Sequence, residues 1–202
     1  MTLCPIIPKL RREPFDDPGW TFELKYDGFR ALADTVNGRM ISKRGHRMSR
    51  FEALLATLPP GCVLDGEIAV LDDTGRPRFL DLMFRRQTPV YVAFDLLMAD
   101  GEDLRPLSLS ARKAALAKIA RDARAWIAVV DGVPGQGRRL FDLIVAQDLE
   151  GIVAKRLYDP YGPDVTWWKI MNRVTGLQHC TSNCGGQPGG DLLGGASDER
   201  SA

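Results

Sequence analysis

The 202-residue sequence predicts a mixed α+β domain with mainly antiparallel sheets at residues 5–172, followed by a disordered tail at 173–202. Strand-like apolar segments outnumber helical ones, and most follow one another without a crossover helix, which favours antiparallel pairing. The tail contains repeated Gly-Gly pairs together with Ser, Gln and Pro. Such a composition buries too little apolar surface to offset the entropy cost of ordering the chain.

The N-terminal half is predicted to contain three consecutive strands and a helix. The strands lie at residues 22–25, 31–36 and 39–42, and the helix lies at 50–58. Asn37-Gly38 favours a tight hairpin turn between the second and third strands. Pro59-Pro60 ends the helix, because proline has no amide hydrogen to donate. Lys25 therefore falls where a strand meets a loop.

The C-terminal half is predicted to contain three more strands and one longer helix. The strands lie at residues 62–71, 90–97 and 151–155, and the helix lies at 110–124. Ala114, Leu116, Ile119 and Ala120 recur at helical spacing, so this helix has one apolar face to bury.

The composition is that of an ordinary folded domain, with 45% hydrophobic residues and a formal net charge of +1. This balance excludes a uniformly basic coat for nucleic acid, so any such contact must come from local clustering. Residues 39–50 form one cluster, with five Lys or Arg residues and no acidic residue. The cluster is either a solvated charged face or a phosphate-binding surface.

The cysteines predict a reducing, cytoplasmic environment. Cys4, Cys62, Cys180 and Cys184 are widely scattered, unlike the framework of a disulfide-rich secreted domain. The last two lie beside His179, but a zinc site would need a second pair of ligands at suitable spacing. The N-terminus has no apolar signal segment, and no apolar run is long enough to span a bilayer. We therefore expect a soluble protein without a membrane partner.

The most informative part of the sequence is the run Glu23-Leu24-Lys25-Tyr26-Asp27-Gly28-Phe29-Arg30. It places the Lys25 amine beside a turn-forming Asp-Gly pair and near an arginine. A lysine amine in water is protonated at neutral pH, so nucleophilic attack requires burial or neighbouring cations that favour its neutral form. The run therefore predicts a lysine nucleophile that is presented to a nucleotide phosphate.

This run resembles the nucleotidylation motif Lys-x-Asp-Gly-x-Arg of the ATP-dependent DNA ligases and related covalent nucleotidyltransferases. Further blocks of that family follow in order: Ser42-Lys43-Arg44-Gly45, Leu64-Asp65-Gly66-Glu67, Phe94-Asp95-Leu96-Leu97, Glu150-Gly151-Ile152-Val153-Ala154-Lys155-Arg156 and Trp168-Lys169. The resemblance covers residues 5–169 and is closest to the short bacterial ligases of the end-joining type. It implies the nucleotidyltransferase fold, in which ATP binds between two mainly antiparallel sheets flanked by helices.

The resemblance also implies a role for the cations of these blocks. Lys25 would attack the α-phosphate of ATP and pass AMP to the 5′-phosphate of nicked or broken double-stranded DNA. Arg30, Lys155 and Lys169 would stabilise the charge that develops on the phosphates. Arg44 would lie near the nucleotide or the nucleic-acid phosphates, where the planar guanidinium is well suited to bind.

The base and the metal are assigned in the same way. The resemblance implies that Phe94 stacks on adenine and that Glu23 and the adjacent backbone read the base edge. The apolar pattern around Phe94 also fits a core strand residue. Glu67 would contact the ribose or a metal, and Glu150 would bind Mg²⁺ or Mn²⁺. The alternative for both glutamates is a solvated strand edge. Asp27 is expected to shape the loop rather than to transfer protons.

The implied setting is a bacterial monomer that acts on DNA in the cytoplasm, associated with the nucleoid, together with other end-joining or repair proteins. An RNA ligase or capping-type transferase would share the lysine motif. The placement of Glu23 and the Phe94-Asp95-Leu96-Leu97 block are more similar to a DNA ligase.

Two departures from the family pattern support a competing hypothesis. The last motif normally reads Lys-x-Lys, but Met171 stands at its second lysine, and residues 159–168 lack the usual arginine. Sequence capable of forming the OB-fold barrel of these ligases is not expected after Asn172, so the composition change there predicts a truncated or frameshifted end. The competing hypothesis is a catalytically impaired remnant that acts at most as an ATP- or DNA-binding module.

Overall fold

Two β-sheets form the framework of the protein, which we describe from a computed structural model covering residues 4–122 and 127–172. In chain order the elements are β1 (Lys9–Leu10), β2 (Trp20–Leu24), β3 (Phe29–Asp34), β4 (Arg39–Ser42), a 3₁₀ helix (Ser49–Thr57), β5 (Cys62–Ala69), α1 (Phe79–Met83), β6 (Val90–Ala99), β7 (Glu102–Asp103), α2 (Leu109–Asp122), β8 (Ala128–Val129), β9 (Val133–Pro134), α3 (Gly137–Ala146), β10 (Gly151–Arg156) and β11 (Trp168–Met171). The tail predicted at 173–202 and the end of the helix predicted at 110–124 lie outside the described residues.

The strand order confirms the predicted α+β class with mainly antiparallel sheets. One sheet has the order β1-β11-β10-β2-β9, and the other has the order β4-β3-β5-β6-β7 with β8 beside β6. Only the short edge pairs β1–β11 and β6–β8 are parallel among the described strands. None of the helices in the described part of the chain is long and apolar enough to cross a membrane.

Three apolar clusters hold the layers together. Helix α2 and the 3₁₀ helix cover one face of the second sheet, where Leu116 and Phe51 pack with Leu64. Helix α3 covers the first sheet, where Ile144 packs with Phe22. A third cluster lies between the sheets and includes Leu32, Val63, Leu97, Tyr161 and Trp167. Because each sheet buries one face under helices, its other face is left to meet the opposite sheet.

The hairpin predicted at Asn37-Gly38 forms with a longer loop than a two-residue turn. Asp34 pairs with Arg39 at the end of the ladder, which leaves four residues in the connection. The Asp34 carboxylate accepts hydrogen bonds from the backbone and side-chain amides of Asn37. Gly38 has a φ of +63°, a left-handed conformation that glycine adopts without steric cost.

Several elements differ from the prediction for physical reasons. The predicted helix at 50–58 is a 3₁₀ helix, which has no side-chain cap at its first turn and bonds Leu58 back to Leu55. Helix α3 was missed because it begins at Gly137, which seldom starts a helix; a Cβ there would overlap the Phe22 ring. Strand β11 was missed because Trp168-Lys169-Ile170-Met171 is too short to show a period.

The Arg112–Asp95 ion pair fixes helix α2 on strand β6. Both side chains are fully buried, and the guanidinium donates two hydrogen bonds to the carboxylate, at 2.8 and 2.9 Å. Arg112 also donates to the carbonyl oxygens of Leu107 and Asp159, so one side chain joins a helix, a strand and the loop before β11. Removing one member of such a pair leaves the other charge buried and unpaired.

Gly28 is the point where the loop after β2 approaches strand β5. A Cβ at this position would overlap the carbonyl oxygen of Ile68 and lie 3.1 Å from Cγ of Glu67. The φ of Gly28 is not in the left-handed region. Space, rather than backbone freedom, is therefore the reason that the Asp-Gly pair needs its glycine.

We expect Arg112→Met to lower the free energy of unfolding by about 3–5 kcal/mol, because the Asp95 carboxylate loses its buried partner. Urea denaturation followed by circular dichroism measures this loss. The matched control is Arg105→Met, which breaks a bidentate pair with Asp103 that lies in contact with solvent. That change should cost about 1 kcal/mol or less. Equal losses of unfolding free energy in the two variants would contradict a special stabilising role for the buried Arg112–Asp95 pair.

Gly28→Ala should lower the free energy of unfolding by about 1–3 kcal/mol, the usual cost of overpacking, because the new methyl group displaces β5. The same denaturation experiment measures it. Gly162→Ala provides the control, since a Cβ there meets no atom within 4 Å. Its free energy of unfolding should stay within about 0.5 kcal/mol of the parent value.

Candidate functional site

A cleft of about 460 Å³ opens between the two sheets. Eight of the nine residues predicted for the site line it: Glu23, Lys25, Arg30, Arg44, Glu67, Phe94, Lys155 and Lys169. These residues come from both sheets and from sequence blocks up to about 140 positions apart. The ninth, Glu150, lies in an adjoining cleft and contacts Lys25. The fold therefore brings together the residues that the ordered blocks singled out.

Lys25 is held at the end of strand β2, where the chain leaves the sheet. Its backbone amide donates to the carbonyl oxygen of Gly151, which continues the pairing of β2 with β10 by one residue. Its side chain is 26% exposed, and its Nζ lies 2.6 Å from Oε1 of Glu150. The amine is thus oriented by a carboxylate while it remains accessible from the cleft.

Glu67 stands directly opposite Arg30 in the ladder between β3 and β5. Burial raises the pKa of Glu67 to about 8, and the carboxylates of Glu150 and Asp65 act in the same direction. Lys25 and Arg30 oppose this rise but do not cancel it. A cation that entered here would favour the ionised form of the carboxyl group.

Lys155 is buried between two aromatic rings. Its Nζ lies 4.2 Å from the ring centroids of both Phe94 and Trp167, which are themselves 6.0 Å apart. Burial lowers the pKa of Lys155, and the Glu23 carboxylate opposes that effect. Trp167 was missed by sequence reasoning. The sequence feature that could have indicated it is the Trp167-Trp168 pair. Adjacent strand residues point to opposite faces, and these two tryptophans pack in different apolar clusters.

Glu23 binds two lysines rather than standing free to read a base. Its carboxylate oxygens lie 2.6 Å from Nζ of Lys155 and 2.7 Å from Nζ of Lys113, and its side chain is 2% exposed. Lys113 also donates to the carbonyl oxygen of Val130. Lys113 was missed because it lies within an ordinary amphipathic helix, outside every recognised block.

Arg30 is fixed by the buried Asp65 carboxylate. It donates two hydrogen bonds to Asp65, at 3.0 and 2.7 Å, and Tyr161 donates a third at 2.7 Å. The guanidinium carbon lies 5.3 Å from the centroid of Phe94 and 5.2 Å from that of Trp167. Asp65 and Tyr161 thus set the position of Arg30 without lining the cleft themselves.

The remaining cations lie at the entrance of the cleft. Lys43 and Arg44 are exposed in the loop after β4, and Lys169 lies on β11 at the opposite wall. Met171 follows Lys169 by two residues in the same strand, so both side chains project from the same face of the sheet. Methionine is uncharged, so strand β11 carries one cation where the family motif carries two.

The donor set fits a cation that is completed by a ligand, rather than a closed metal site. Among residues 4–122 and 127–172, no group of three or more His, Cys, Asp or Glu side chains is placed to hold a metal ion. Cys180, Cys184 and His179 lie outside those ranges, whereas Cys4 and Cys62 are free thiols. Magnesium is usually bound by one or two carboxylates together with substrate phosphates and water, which matches Glu67 with Glu150.

Similarity to known proteins identifies the type of domain. The sequence matches the ATP-dependent DNA ligase domain over residues 7–171. It is 31% identical to the SPbeta prophage-derived DNA ligase-like protein LigB of Bacillus subtilis, over 85% of this chain and 68% of that protein. It is 35% identical to the multifunctional non-homologous end joining protein LigD of Mycolicibacterium smegmatis, over 71% of this chain. The match spans only 20% of that LigD.

Solved structures agree with this assignment. The ligase domain of Mycobacterium tuberculosis LigD superposes with a TM-score of 0.70 at 28% identity, over 83% of this chain and 58% of that one. A mycobacterial DNA ligase D complexed with ATP and MES gives 0.71 at 28% identity, over 84% and 60% of the two chains. An archaeal ATP-dependent RNA ligase, at 17% identity and a TM-score of 0.55, shares the fold alone. The fold, the cleft and the sequence match agree that this chain belongs to the ATP-dependent DNA ligase domain family.

Proposed function

We propose that this chain is the adenylating unit of a DNA ligase, in which Lys25 becomes covalently joined to AMP. The observation that carries the proposal is the position of Lys25, whose amine lies at the wall of a cation-lined cleft with a carboxylate 2.6 Å away. A lysine whose amine opens on a cleft lined by cations is arranged for attack on a nucleotide phosphate, because the same cations would stabilise the charge on the phosphates.

In the first step, Nζ of Lys25 attacks the α-phosphorus of ATP. A nitrogen–phosphorus bond forms, and the bond from the α-phosphorus to the oxygen that bridges to the β-phosphate breaks, so pyrophosphate leaves. The Lys25 ammonium must lose a proton before it attacks, and a cation that engaged Glu150 would release the amine from its ion pair with that carboxylate. Lys169 and Arg44 line the same cleft and supply positive charge for the triphosphate.

In the later steps, an oxygen of a DNA 5′-phosphate attacks the AMP phosphorus, which breaks the nitrogen–phosphorus bond and restores the Lys25 amine. The 3′-hydroxyl group then attacks the activated 5′-phosphate, so that AMP leaves and a phosphodiester bond forms. We propose nicked or broken double-stranded DNA as the substrate, because the relatives at 31–35% identity are named as DNA ligase-like and end-joining proteins.

The nucleotide base is proposed to pack against Phe94, in the part of the cleft where the chain already holds cations against aromatic rings. Glu23 would act there through Lys155 and Lys113, because both oxygens of its carboxylate lie within ion-pair distance of those lysines. The base edge would then be read by backbone groups beside Glu23.

Glu67 and Glu150 are the residues proposed to hold Mg²⁺ or Mn²⁺, both of which prefer oxygen ligands. When bound, the ion neutralises charge on the phosphates during transfer. The raised pKa of Glu67, caused by burial and by the neighbouring carboxylates, supports a cation site at this wall.

The proposed setting is a monomer in the bacterial cytoplasm at the nucleoid, acting with other end-joining or repair proteins. The chain spans 68% of LigB but 20% of the LigD sequence and 58–60% of the solved LigD chains. Because the chain spans only part of the LigD proteins, we propose complete nick sealing by this chain and do not infer it from those relatives. The second candidate function, an ATP- or DNA-binding module that does not turn over, is favoured by Met171 and by the lack of an arginine in residues 159–168.

We expect Lys25→Ala to abolish covalent labelling by α-labelled ATP and magnesium, because no other group replaces the attacking amine. Label that survives denaturing electrophoresis and is released by acid is the readout, since phosphoramidates are acid-labile. Lys118→Ala is the matched control, as Lys118 is exposed on helix α2 away from the cleft lining. Label retained in Lys25→Ala would refute the nucleophile assignment, and unlabelled parent protein that still binds ATP would favour the binding module.

Met171→Lys should raise the rate of labelling by about tenfold or more, because one restored phosphate contact typically contributes about 2 kcal/mol or more to the transition state. Single-turnover labelling at saturating ATP measures this rate. The control, Met171→Gln, adds polarity without charge and should change the rate little. An unchanged rate in Met171→Lys would mean that the cation missing from this strand does not limit transfer.

A further inference from the structure

A second positively charged surface begins at Lys43 and Arg44 of the nucleotide cleft and extends beyond it. Residues 43–50 and 76–88 together carry eight Lys or Arg residues and one acidic residue. The whole chain has a formal net charge of only +1, so the rest of the sequence is net acidic. Every one of the eight basic side chains belongs to an exposed residue. We call these two segments the arginine surface.

The two segments of the arginine surface are joined in space. The Arg50 guanidinium donates to the carbonyl oxygen of Leu82, at 3.1 Å. Beneath them, the Phe29 ring contacts Phe51 of the first segment and Phe79 of the second, with centroids 5.9 and 5.8 Å apart. Arg50, Arg85 and Arg86 line one cleft of about 400 Å³ where the two segments meet.

This surface reaches the proposed nucleophile. A cleft of about 340 Å³ is lined by Arg76, Arg78 and Arg86 together with the acidic residues Asp27, Asp81, Asp148 and Glu150. Asp81 lies 3.5 Å from Arg78 and 3.6 Å from Arg86, in ion pairs that are exposed on the arginine side. Glu150 is the residue that contacts Lys25. Lys43 and Arg44, at the other end of the surface, line the nucleotide cleft itself. The arginine surface therefore adjoins both the nucleotide cleft and the carboxylate that holds the Lys25 amine.

The backbone at Arg85 has an unusual conformation for an arginine. Helix α1 ends with Arg86 N bonded to Asp81 O and Arg85 N bonded to Leu82 O, which is the Schellman arrangement. The residue at this position normally has a left-handed conformation and is usually glycine, and Arg85 has a φ of +56°. Backbone strain of this kind concentrates at functional positions.

Exposed apolar side chains accompany the arginines. Leu80, Met83 and Phe84 are 58%, 44% and 59% exposed, on and just after helix α1. Apolar side chains beside arginines are suited to a partner that has both phosphates and apolar sugar or base surfaces. A partner with only negative charge would leave these three apolar side chains exposed to water.

We propose that the arginine surface binds the phosphate backbone of the duplex DNA substrate next to the Lys25 site. The inference rests on the proposed ligase function and extends it by assigning residues outside the nucleotide cleft to DNA binding. Arg85 and Arg86 contact backbone phosphates from the end of helix α1, and Arg50 supports this helix from below. The contact is with phosphates, so it carries affinity rather than sequence preference.

The test uses Arg85→Gly and Arg86→Gln, singly and together, in the full chain. Binding to a fluorescently labelled nicked duplex is measured by anisotropy at several salt concentrations. The double variant should raise Kd by about three- to tenfold at moderate salt, and the slope of log Kd against log salt should fall by about one per lost contact. Labelling by ATP without DNA should stay at the parental rate, because neither residue lines the nucleotide cleft.

Arg139→Gln is the matched control. Arg139 is exposed on helix α3, which covers the face of the first sheet that points away from the cleft. It should leave the salt slope unchanged. Arg85→Gly should not lower Tm, since glycine suits the left-handed position, and weaker DNA binding at unreduced Tm excludes unfolding as the cause. Arg85→Lys, which keeps the charge, should recover most of the binding.

The outcomes separate this inference from the proposed function. A double variant that binds the nicked duplex as tightly as Arg139→Gln overturns the inference, even where ATP labelling is normal, and it assigns the surface to another partner. Failure of the parent protein to label with ATP refutes the adenylation proposal instead. In that case, reduced DNA binding by the double variant would still support the arginine surface.

Discussion

Burial of the Lys155 ammonium group is the constraint on which the rest of the site depends. A charged amine that is 1% exposed must be compensated, because transfer of an unpaired charge from water to a protein interior is very costly. Two aromatic rings at 4.2 Å and the Glu23 carboxylate at 2.6 Å provide that compensation. Glu23 also forms an ion pair with Lys113, at 2.7 Å. The charged contacts that compensate Lys155 therefore run from β10 through β2 to helix α2.

This charge chain links the two layers of the protein. Lys155 and Glu23 belong to the first sheet, Phe94 belongs to the second, and Lys113 belongs to the helix that covers the second sheet. Polar contacts across the layers fix their relative position more specifically than apolar packing alone, because they require defined distances and angles. The Arg112–Asp95 pair acts in the same way on the strand that carries Phe94. The cleft keeps its shape because both walls are tied to α2.

Eight residues that line the cleft could be located from the sequence because they occur in short ordered blocks. Lys25, Glu67 and Lys169 were located from residues adjacent in the chain, and the strands that carry Lys25 and Glu67 were placed within two residues of their observed ends. Lys113 and Trp167 could not be found in this way. Their roles arise from contacts made over long chain separations, such as Lys113 with Glu23. The apolar spacing that predicts helix α2 does not indicate that Lys113 lies against the buried Glu23 carboxylate.

The same contacts sort the cations of the family blocks into two groups, which the sequence alone does not distinguish. Arg30 and Lys155 are held by the buried carboxylates of Asp65 and Glu23, so much of their charge is already neutralised. Lys169 and Arg44, within the part of the chain that the structure describes, form no ion pair. A triphosphate would therefore draw its main electrostatic stabilisation from Lys169 and Arg44, and the buried pair would shape the wall proposed for the base. Met171 lies on the strand that carries Lys169. The lysine that the family motif has at this position would therefore belong with Lys169 and Arg44, whose charges the protein does not neutralise.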